Sequence, residues 1–487
     1  MPMHHIVAML PPAWGHTVSY LHLVLQMLRA DPTLVVTIYQ HEIIVPQIEK
    51  ELVNVEYESA RLAICAVGTK NVQFGPTMFE VVFAELISNW MGALEKITKE
   101  GQKWPKPSAI HILLLYPAAG LSIKATMTEY DYAQSCEEIY ADEGRRAGRT
   151  RDEIGVALAT CWNDTGVCTG AIVSHPGLED MYDYERSSLA AGPPVANWPF
   201  FCSGQKVAKV AHGVVIFSSP TFEPVGIPEL RSYFAKRGQE LFACGMQTHE
   251  ACFARTPGGP VVVNDERVRS FLESSQEKYG ANSTLFISFG SLFFPVEQIA
   301  HVEALINTLI SLPTPFPFIF ALAGSMAVDA LPQALIDRVN ASGKGLICQS
   351  WVEQRAIIQH PATGWFLSHG GFNSVTESLV EGVPMIIWPA GAEQPLNAAL
   401  CASGPRPVAF ELLQIRMGAQ AGPSLRHPEV EITGSVEDAV KEFEVVLTQA
   451  RGESGERLRR NAQEMGQSLR KARAGEALEE VKRLAVF

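Results

Sequence analysis

The chain has 487 residues, of which 47% are hydrophobic and 19% are charged. This is the balance of a folded protein, and at about 100 to 200 residues per domain the length predicts two large domains or three small ones. Lys and Arg number 39 against 52 Asp and Glu, which gives a formal charge of −13. A surface of this sign disfavours binding to nucleic acid or to an anionic membrane surface.

The nine cysteines show neither a Cys-x-x-Cys motif nor a spacing typical of zinc ligands. Because an odd number of cysteines cannot pair completely, we expect a reducing compartment. The N-terminus has no Lys or Arg, and its apolar stretch at residues 6–10 is too short for a signal sequence. No apolar run approaches the ~20 residues of a membrane-spanning helix. We therefore expect a cytoplasmic protein without membrane insertion.

The first half of the chain predicts alternating strands and helices. Such alternation indicates a parallel sheet covered by helices on both faces. The region 117–255 is interrupted by segments rich in Pro and aromatic residues, and within it only 213–218 predicts a strand. Apolar stretches predict strands at 6–10, 34–39, 62–67 and 110–116, and helical spacing predicts helices at 18–28, 45–52 and 79–94.

A second alternation follows residues 255–260, whose sequence Arg-Thr-Pro-Gly-Gly-Pro has the composition of a linker. We therefore expect two similar α/β halves. The C-terminal stretch 436–487 is helical by pattern, with expected breaks at Gly452 and Gly455. The predicted strands of this half are 284–289, 317–322, 345–348 and 364–367, and the predicted helices are 295–312 and 330–339.

Ligands of open parallel sheets bind outside the carboxyl ends of the strands, so the loops after the strands are the candidate sites. The loop after strand 364–367 reads Ser368-His-Gly-Gly-Phe-Asn-Ser374 and precedes a predicted helix. Gly370 and Gly371 allow close approach of a ligand, and a helix N-terminus offers N–H groups to an anion such as a pyrophosphate. The alternative is a turn in which Ser374 and Glu377 form a capping box.

Three further loops of the second half carry polar or aromatic residues. Ser291 follows Gly290 after strand 284–289 and could donate to the same phosphates, although the pair could equally form a plain turn. Trp351 and Gln354 follow strand 345–348 and could supply a stacking face and an amide for a base, although a lone Trp more often lies in a core. A third loop, after an apolar strand, carries Glu393 and Gln394, which could bind sugar hydroxyls.

The segment 351–397, WVEQRAIIQHPATGWFLSHGGFNSVTESLVEGVPMIIWPAGAEQPLN, resembles the signature box of the UDP-sugar-dependent glycosyltransferases that modify small molecules. Trp-x-x-Gln, His-Pro, His-x-Gly-x-Asn-Ser-x-x-Glu, Gly-Val-Pro and Glu-Gln occur in the order and spacing of that family. The box spans about a tenth of the chain, and weaker similarity covers most of the second half. The resemblance implies an α/β fold of the GT-B type, in which two Rossmann-like domains with parallel sheets face each other across a cleft.

The resemblance also implies roles for single residues, all of them on the UDP-sugar donor. Where plant members usually read His-Cys-Gly-Trp-Asn-Ser, this chain has Phe372 in place of the Trp that normally touches the sugar. By this resemblance, Trp351 would stack on uracil with Gln354 at its edge, and Glu377 would bind the ribose hydroxyls. The diphosphate would be held by His369, Gly371, Asn373 and Ser374, with Ser291 as a further contact to the donor. Glu393 and Gln394 would bind the transferred sugar, with Gln394 at the position associated with glucose.

By the same resemblance, residues 1–254 are the acceptor-binding domain, 261–470 the UDP-sugar-binding domain, and 471–487 a C-terminal helix that returns to the first domain. The implied function is inverting transfer of a sugar, with glucose preferred, from a UDP-sugar to a hydroxyl of a small lipophilic terpenoid, sterol or phenolic. The partners would be UDP-glucose or a related UDP-sugar and the acceptor, without nucleic acid or stable membrane insertion. The alternative is a UDP-sugar-binding protein with weak or lost transferase activity.

Inverting transfer requires a base for the acceptor hydroxyl, and histidine titrates nearest to neutral pH. His16 is the candidate, because it lies in the predicted loop after the first strand and matches the family's Gly-His motif. The family adds an Asp that orients this His, but no carboxylate follows strand 110–116, and Asp131 is a poor substitute. We find no Asp-x-Asp motif and expect no metal requirement and no cofactor, with the UDP-sugar as co-substrate.

Overall fold

A computed structural model describes the chain except residues 1–3, 11–13, 54, 71–77, 100–112, 117–119, 187–193, 255–258, 260, 292, 323–326, 328 and 329. The first half contains these elements: β1 His4–Met9, α1 Trp14–Ala30, β2 Leu34–His41, α2 Val45–Leu52, β3 Leu62–Val67, α3 Met78–Thr98, β4 Leu113–Tyr116, α4 Tyr132–Ala141, α5 Glu143–Arg146, α6 Arg151–Cys161, β5 Ile172–Val173, β6 Met181–Tyr182, α7 Asp183–Arg186, α8 Pro194–Val210, β7 Gly213–Ile216, α9 Gly226–Ala235, β8 Glu240–Ala243 and α10 Glu250–Ala254.

The second half continues the alternation and ends in three helices. Its elements are α11 Glu266–Tyr279, β9 Thr284–Ser288, α12 Ile299–Ser311, β10 Phe318–Ala321, α13 Gln333–Ser342, β11 Gly345–Cys348, α14 Gln354–Gln359, β12 Thr363–Ser368, α15 Phe372–Glu381, β13 Met385–Ile387, α16 Gln394–Ala402, β14 Ala409–Glu411, β15 Gly422–Pro423, β16 Glu431–Ile432, α17 Val436–Gln449, α18 Glu453–Ala474 and α19 Glu476–Ala485. None of the described helices combines the length and apolar character that crossing a membrane requires.

The chain divides into two compact units. Unit 1 comprises Met1–Gly120, Cys202–Glu250 and Lys471–Phe487, and unit 2 comprises Leu121–Phe201 and Ala251–Arg470. Residues 121–201 group with the second unit although they lie in the first half of the sequence, and so do residues 251–254. Most of the predicted linker at 255–260 lies outside the described residues.

Unit 1 contains two three-stranded parallel sheets, ordered β1-β2-β3 and β4-β7-β8. The first sheet is covered by α1, which buries Leu21, Leu25 and Leu28 at the helical spacing seen in the sequence. The last helix, α19, also belongs to this unit. Its Ala485 carbonyl lies 2.7 Å from Nε2 of His4. The final residues of the chain are therefore fixed next to its first strand.

The segment 121–201 of unit 2 is mainly helical, although its sequence pattern predicted no regular element there. Its carboxylate Glu185 accepts a hydrogen bond of 2.8 Å from the backbone N–H of Leu425 and another from the Ser424 hydroxyl. The hydroxyl of Tyr184 donates to the carbonyl of Pro423 at 2.7 Å. These contacts join two parts of the chain that are more than 200 residues apart in sequence.

The main body of unit 2 is a six-stranded parallel sheet in the order β11-β10-β9-β12-β13-β14. Every strand of this sheet is short and apolar, and β9, β10, β11 and β12 are buried along their whole length. Such runs are typical of parallel strands covered on both faces. The helices α12 and α17 contribute Leu305, Leu309, Phe443 and Leu447 to the same core.

Candidate functional site in the second unit

The strand order of unit 2 marks one place on the sheet. The chain runs outward from β9 through β10 to β11, then returns to the other side of β9 for β12, β13 and β14. In open sheets of this order, a crevice forms at the carboxyl ends of the two strands where the direction reverses. These are β9 and β12, which are directly paired. The loops with Ser291 and His369 follow these two strands, so the structure brings both predicted residues to the same edge.

The imidazole of His369 lies between two glycines of these loops. A Cβ atom on Gly290 would lie 2.7 Å from Cε1 of His369, and a Cβ atom on Gly371 would lie 2.4 Å from its Nε2. Gly290 also has a φ of +77°, a conformation that favours glycine. Burial lowers the pKa of His369 to about 4, so the ring is neutral at physiological pH.

Helix α15 begins directly after these glycines, at Phe372, with Gly371 as its N-cap and without a side-chain cap. The alternative of a capping box of Ser374 and Glu377 is therefore wrong, because Ser374 already lies in the first helical turn. Backbone N–H groups of a first turn have no partner within the helix and favour anions. The N–H of Phe372 donates to the carboxylate of Glu393 at 3.4 Å. Asn373 is half-buried and Ser374 is buried in the same turn.

The carboxylate of Glu377 is hydrogen-bonded to a side chain from another helix. The side-chain amide of Gln354, at the start of α14, donates a 2.8 Å hydrogen bond to Oε2 of Glu377. Gln354 comes from the loop after β11 and Glu377 from the helix after β12, so the pair connects two of the loops singled out in the sequence. A carboxylate held in this way can still accept from other donors through its remaining lone pairs.

The Trp351 side chain is 61% exposed. The core alternative for this residue is therefore wrong. Trp365 and Trp388 of the same unit are fully buried in the core beside the sheet. A large aromatic ring left in solvent next to polar side chains is a surface on which a planar base can stack.

The loop after β13 is organised by Gln394. The buried side-chain oxygen of Gln394 accepts hydrogen bonds of 2.8 Å from the backbone N–H groups of Ala390 and Gly391. These two donors fix the amide orientation, so its NH₂ group is the part that can donate to a ligand. Burial raises the pKa of the neighbouring Glu393. Within the described residues there is no cluster of three or more potential metal ligands.

Two residues beside the glycine loop at 370–371 were not predicted as site residues. The buried side-chain amide of Asn397, four residues after Glu393 on α16, donates to the carbonyl of Gly370 at 2.8 Å. The hydroxyl of Ser368 lies 3.2 Å from Nδ1 of His369. Both residues lie inside or next to the signature motifs. Asn397 follows Glu393 by one helical turn and Ser368 directly precedes His369, and these sequence positions could have identified them as site residues.

The candidate base His16 lies in unit 1. It was predicted in a loop, but the structure places it in the first turn of α1, since the chain is already helical from Trp14. His16 is half-buried, and burial lowers its pKa below the ordinary value of 6.5. No described residue forms a hydrogen bond with its ring. Asp131 is the N-cap of α4 and accepts from the N–H of Gln134 at 3.2 Å, so its carboxylate has a structural role.

Comparison with known proteins supports one family. Residues 263–415 match the model of the UDP-glucoronosyl and UDP-glucosyl transferases. A UDP-glycosyltransferase of Hericium erinaceus, eriJ, is 27% identical over 94% of this chain and 93% of its own length. UDP-glycosyltransferase 71C5 of Arabidopsis thaliana is 41% identical over 29% of this chain and 31% of its own length. Residues 263–415 therefore form a UDP-glycosyltransferase domain.

Solved structures agree with this assignment at the level of the fold. Medicago truncatula UGT71G1 complexed with UDP-glucose has a TM-score of 0.67, covers 99% of this chain and 98% of its own, and is 17% identical. A UDP-glucosyltransferase from Polygonum tinctorium has a TM-score of 0.66, with coverage of 100% and 99% and 17% identity. The fold class of the chain is thus α/β of the GT-B type, as the signature box implied.

One departure of this chain from the plant motif has a structural consequence. Phe372, which replaces the usual Trp, is only 2% exposed and lies against buried neighbours at the start of α15. Its ring therefore contributes to the packing of the helix. Asn373 and Ser374 lie in the same turn, and the carboxylate of Glu393 accepts from the N–H of Phe372.

Proposed function

We propose that this UDP-glycosyltransferase transfers glucose from UDP-glucose, with inversion, to a hydroxyl group of a small lipophilic acceptor such as a terpenoid, a sterol or a phenolic. The observation that carries the proposal is the exposed Trp351 ring, three residues before Gln354, whose amide binds Glu377, in the unit that also holds His369 and the N-terminus of α15. Together these groups offer a stacking face, ribose acceptors and diphosphate donors.

The donor would be held through its nucleotide. Uracil would stack on Trp351, with the amide of Gln354 at its edge and the carboxylate of Glu377 accepting from the ribose hydroxyls. The diphosphate would bind Ser291, His369, Gly371, Asn373 and Ser374. The glucose hydroxyls would bind the carboxylate of Glu393 and the amide NH₂ of Gln394. The Medicago truncatula structure is a complex with UDP-glucose, which supports this choice of donor.

In the proposed reaction, His16 accepts the proton of the acceptor hydroxyl. The acceptor oxygen then forms a bond to the anomeric carbon while the bond from that carbon to the β-phosphate oxygen breaks. The leaving UDP carries the negative charge, which the N–H groups of the α15 first turn and the neutral His369 can stabilise. Because these groups already act on the leaving diphosphate, we propose that the reaction needs neither a divalent metal nor another cofactor.

All nine cysteines of the chain are free thiols, which supports a reducing compartment, and we propose the cytoplasm. The contacts in unit 2 and the family assignment both favour transfer, and no observation favours a binding protein without activity.

The deciding experiment is an acceptor screen with UDP-glucose. Terpenoid, sterol and phenolic alcohols are incubated with the protein, and free UDP and product mass are measured. We expect a glucosylated product with at least one of these classes, and an axial-to-equatorial change at the anomeric carbon by NMR. The binding-protein alternative would be supported instead if UDP raised the melting temperature but no acceptor was glycosylated, whether UDP-glucose, UDP-galactose or UDP-glucuronate was the donor.

A further inference from the structure

The orientation of the His369 ring is restricted on both faces. The backbone of Gly290 and that of Gly371 approach the ring so closely that neither position has room for a Cβ atom. The ring of Phe293 lies beside it, with the two ring centroids 5.7 Å apart. Nε2 is the ring atom next to Gly371, the N-cap of α15. The packing therefore directs Nε2 toward the first turn of that helix.

The other ring nitrogen is next to a fully buried hydroxyl. Oγ of Ser368 lies 3.2 Å from Nδ1 of His369 and accepts the backbone N–H of Gly370 at 3.3 Å. A hydroxyl that accepts from Gly370 keeps its single proton for another partner. Nδ1 lies within reach of that proton, and when the Ser368 hydroxyl donates to Nδ1, the lone pair of Nδ1 carries no proton. In a neutral imidazole the proton then resides on Nε2.

We propose that Ser368 is a positioning residue that fixes the tautomer of His369, so that the histidine presents a neutral Nε2–H donor to the diphosphate at the N-terminus of α15. This inference rests on the proposed function, since it takes the ligand at this helix to be the diphosphate of a UDP-sugar. It assigns His369 a hydrogen-bonding role without a positive charge. The low pKa of the buried ring supports this assignment, because a neutral ring persists well below pH 7.

The first test measures the tautomer directly in the protein without nucleotide. The full chain is labelled with ¹⁵N-histidine, and the His369 ring signals are identified by their absence in His369→Asn. We expect ¹⁵N shifts and long-range couplings of the Nε2–H tautomer at pH 7. A dominant Nδ1–H tautomer, or a protonated ring, would overturn the proposal. This result does not depend on whether the protein binds UDP.

The second test measures binding. In Ser368→Ala we expect the affinity for UDP to fall about tenfold, because a hydrogen bond to a charged group is weakened. The affinity for uridine, which lacks the diphosphate, should stay within about twofold of wild type. Ser368→Thr, which keeps the hydroxyl, should restore UDP binding. A purely structural role would reduce UDP and uridine binding equally, and that outcome would contradict the proposal.

Ser378→Ala is the matched control. Ser378 is a buried serine of α15 whose hydroxyl donates to the carbonyl of Val383 at 2.8 Å, away from the first turn. Its loss should lower the melting temperature as much as Ser368→Ala does, without changing the ratio of UDP to uridine affinity. A wild-type protein that binds no UDP would refute the proposed function, while the tautomer measurement would still decide the role of Ser368.

Discussion

The side-chain amide of Gln354 donates a 2.8 Å hydrogen bond to the carboxylate of Glu377 and so connects the loop after β11 to the helix after β12. A second pair of the same type occurs farther along the same two helices, where Gln359 of α14 donates to Glu381 of α15 at 2.8 Å. The two pairs differ in position, since only the first involves the start of α14, three residues after the exposed Trp351. This difference makes the second pair a natural control.

Glu377→Ala should weaken UDP binding about tenfold, because the ribose hydroxyls lose a charged acceptor. The variant should also lose the preference of the wild type for UDP over 2′-deoxy-UDP, measured by titration calorimetry. Gln354→Ala should give a smaller loss in the same direction. Gln359→Ala should leave both affinities within about twofold. Retained discrimination between the two nucleotides in Glu377→Ala would show that Glu377 does not bind the ribose.

Trp351→Ala should reduce UDP affinity about 10- to 100-fold, since stacking of a base on an aromatic ring contributes about 1 to 3 kcal/mol. Trp351→Phe should recover most of this affinity. Because the Trp351 side chain is exposed, neither variant should change the melting temperature by more than about 2 °C. Wild-type UDP affinity in Trp351→Ala would show that the Trp351 ring is not part of the binding site.

His16→Ala should slow transfer by at least about 100-fold while UDP affinity stays within about twofold. The base must be unprotonated, and burial lowers the pKa of His16 below 6.5. The rate should therefore be constant near neutral pH and should fall only as acidification protonates His16, with a midpoint below pH 6.5. His16→Gln, which cannot accept a proton at neutral pH, should behave like His16→Ala. Undiminished turnover in either variant would refute the role of His16.

Gly290→Ala should impair both stability and UDP binding, because the new methyl group would lie 2.7 Å from Cε1 of His369 and the backbone has a φ of +77°. Gly343→Ala measures the effect of the positive φ alone. Gly343 has a φ of +68° at the end of α13, but no atom lies within 4 Å of the position that an added methyl group would take. Gly343→Ala should cost about 1 kcal/mol of unfolding free energy and leave UDP affinity unchanged. Equal effects of both variants on UDP binding would contradict this reasoning.

Turnover should persist in the presence of a chelator. The first turn of α15 and the neutral His369 are expected to stabilise the leaving diphosphate without a cation. After dialysis against EDTA, the initial rate of UDP release should stay within about twofold of the untreated enzyme. A rate that is lost in chelator and restored by magnesium or manganese would show that the proposed metal-free mechanism is wrong.

The regular elements could be predicted where apolar periodicity is strong. Helix α2 and the strands β3 and β11 have the bounds that the sequence indicated, and each of the two strands is flanked by polar or turn-forming residues. Gly452 does lie in the break between α17 and α18. Gly455 lies inside α18, where a Cβ atom would be 2.1 Å from the carbonyl of Ala450, so this glycine serves close packing instead of a break.

The sequence by itself determined where the strands of unit 2 lie along the chain and which loops carry its polar residues, since hydrophobic periodicity and the signature box are local properties of the chain. Only the tertiary structure decided the partners. The capping-box alternative pairs Glu377 with Ser374, three residues away, whereas the fold pairs it with Gln354, 23 residues away. Likewise Glu185 reaches Leu425 across 240 residues. Such contacts depend on the three-dimensional arrangement of strands and helices, which local spacing does not encode.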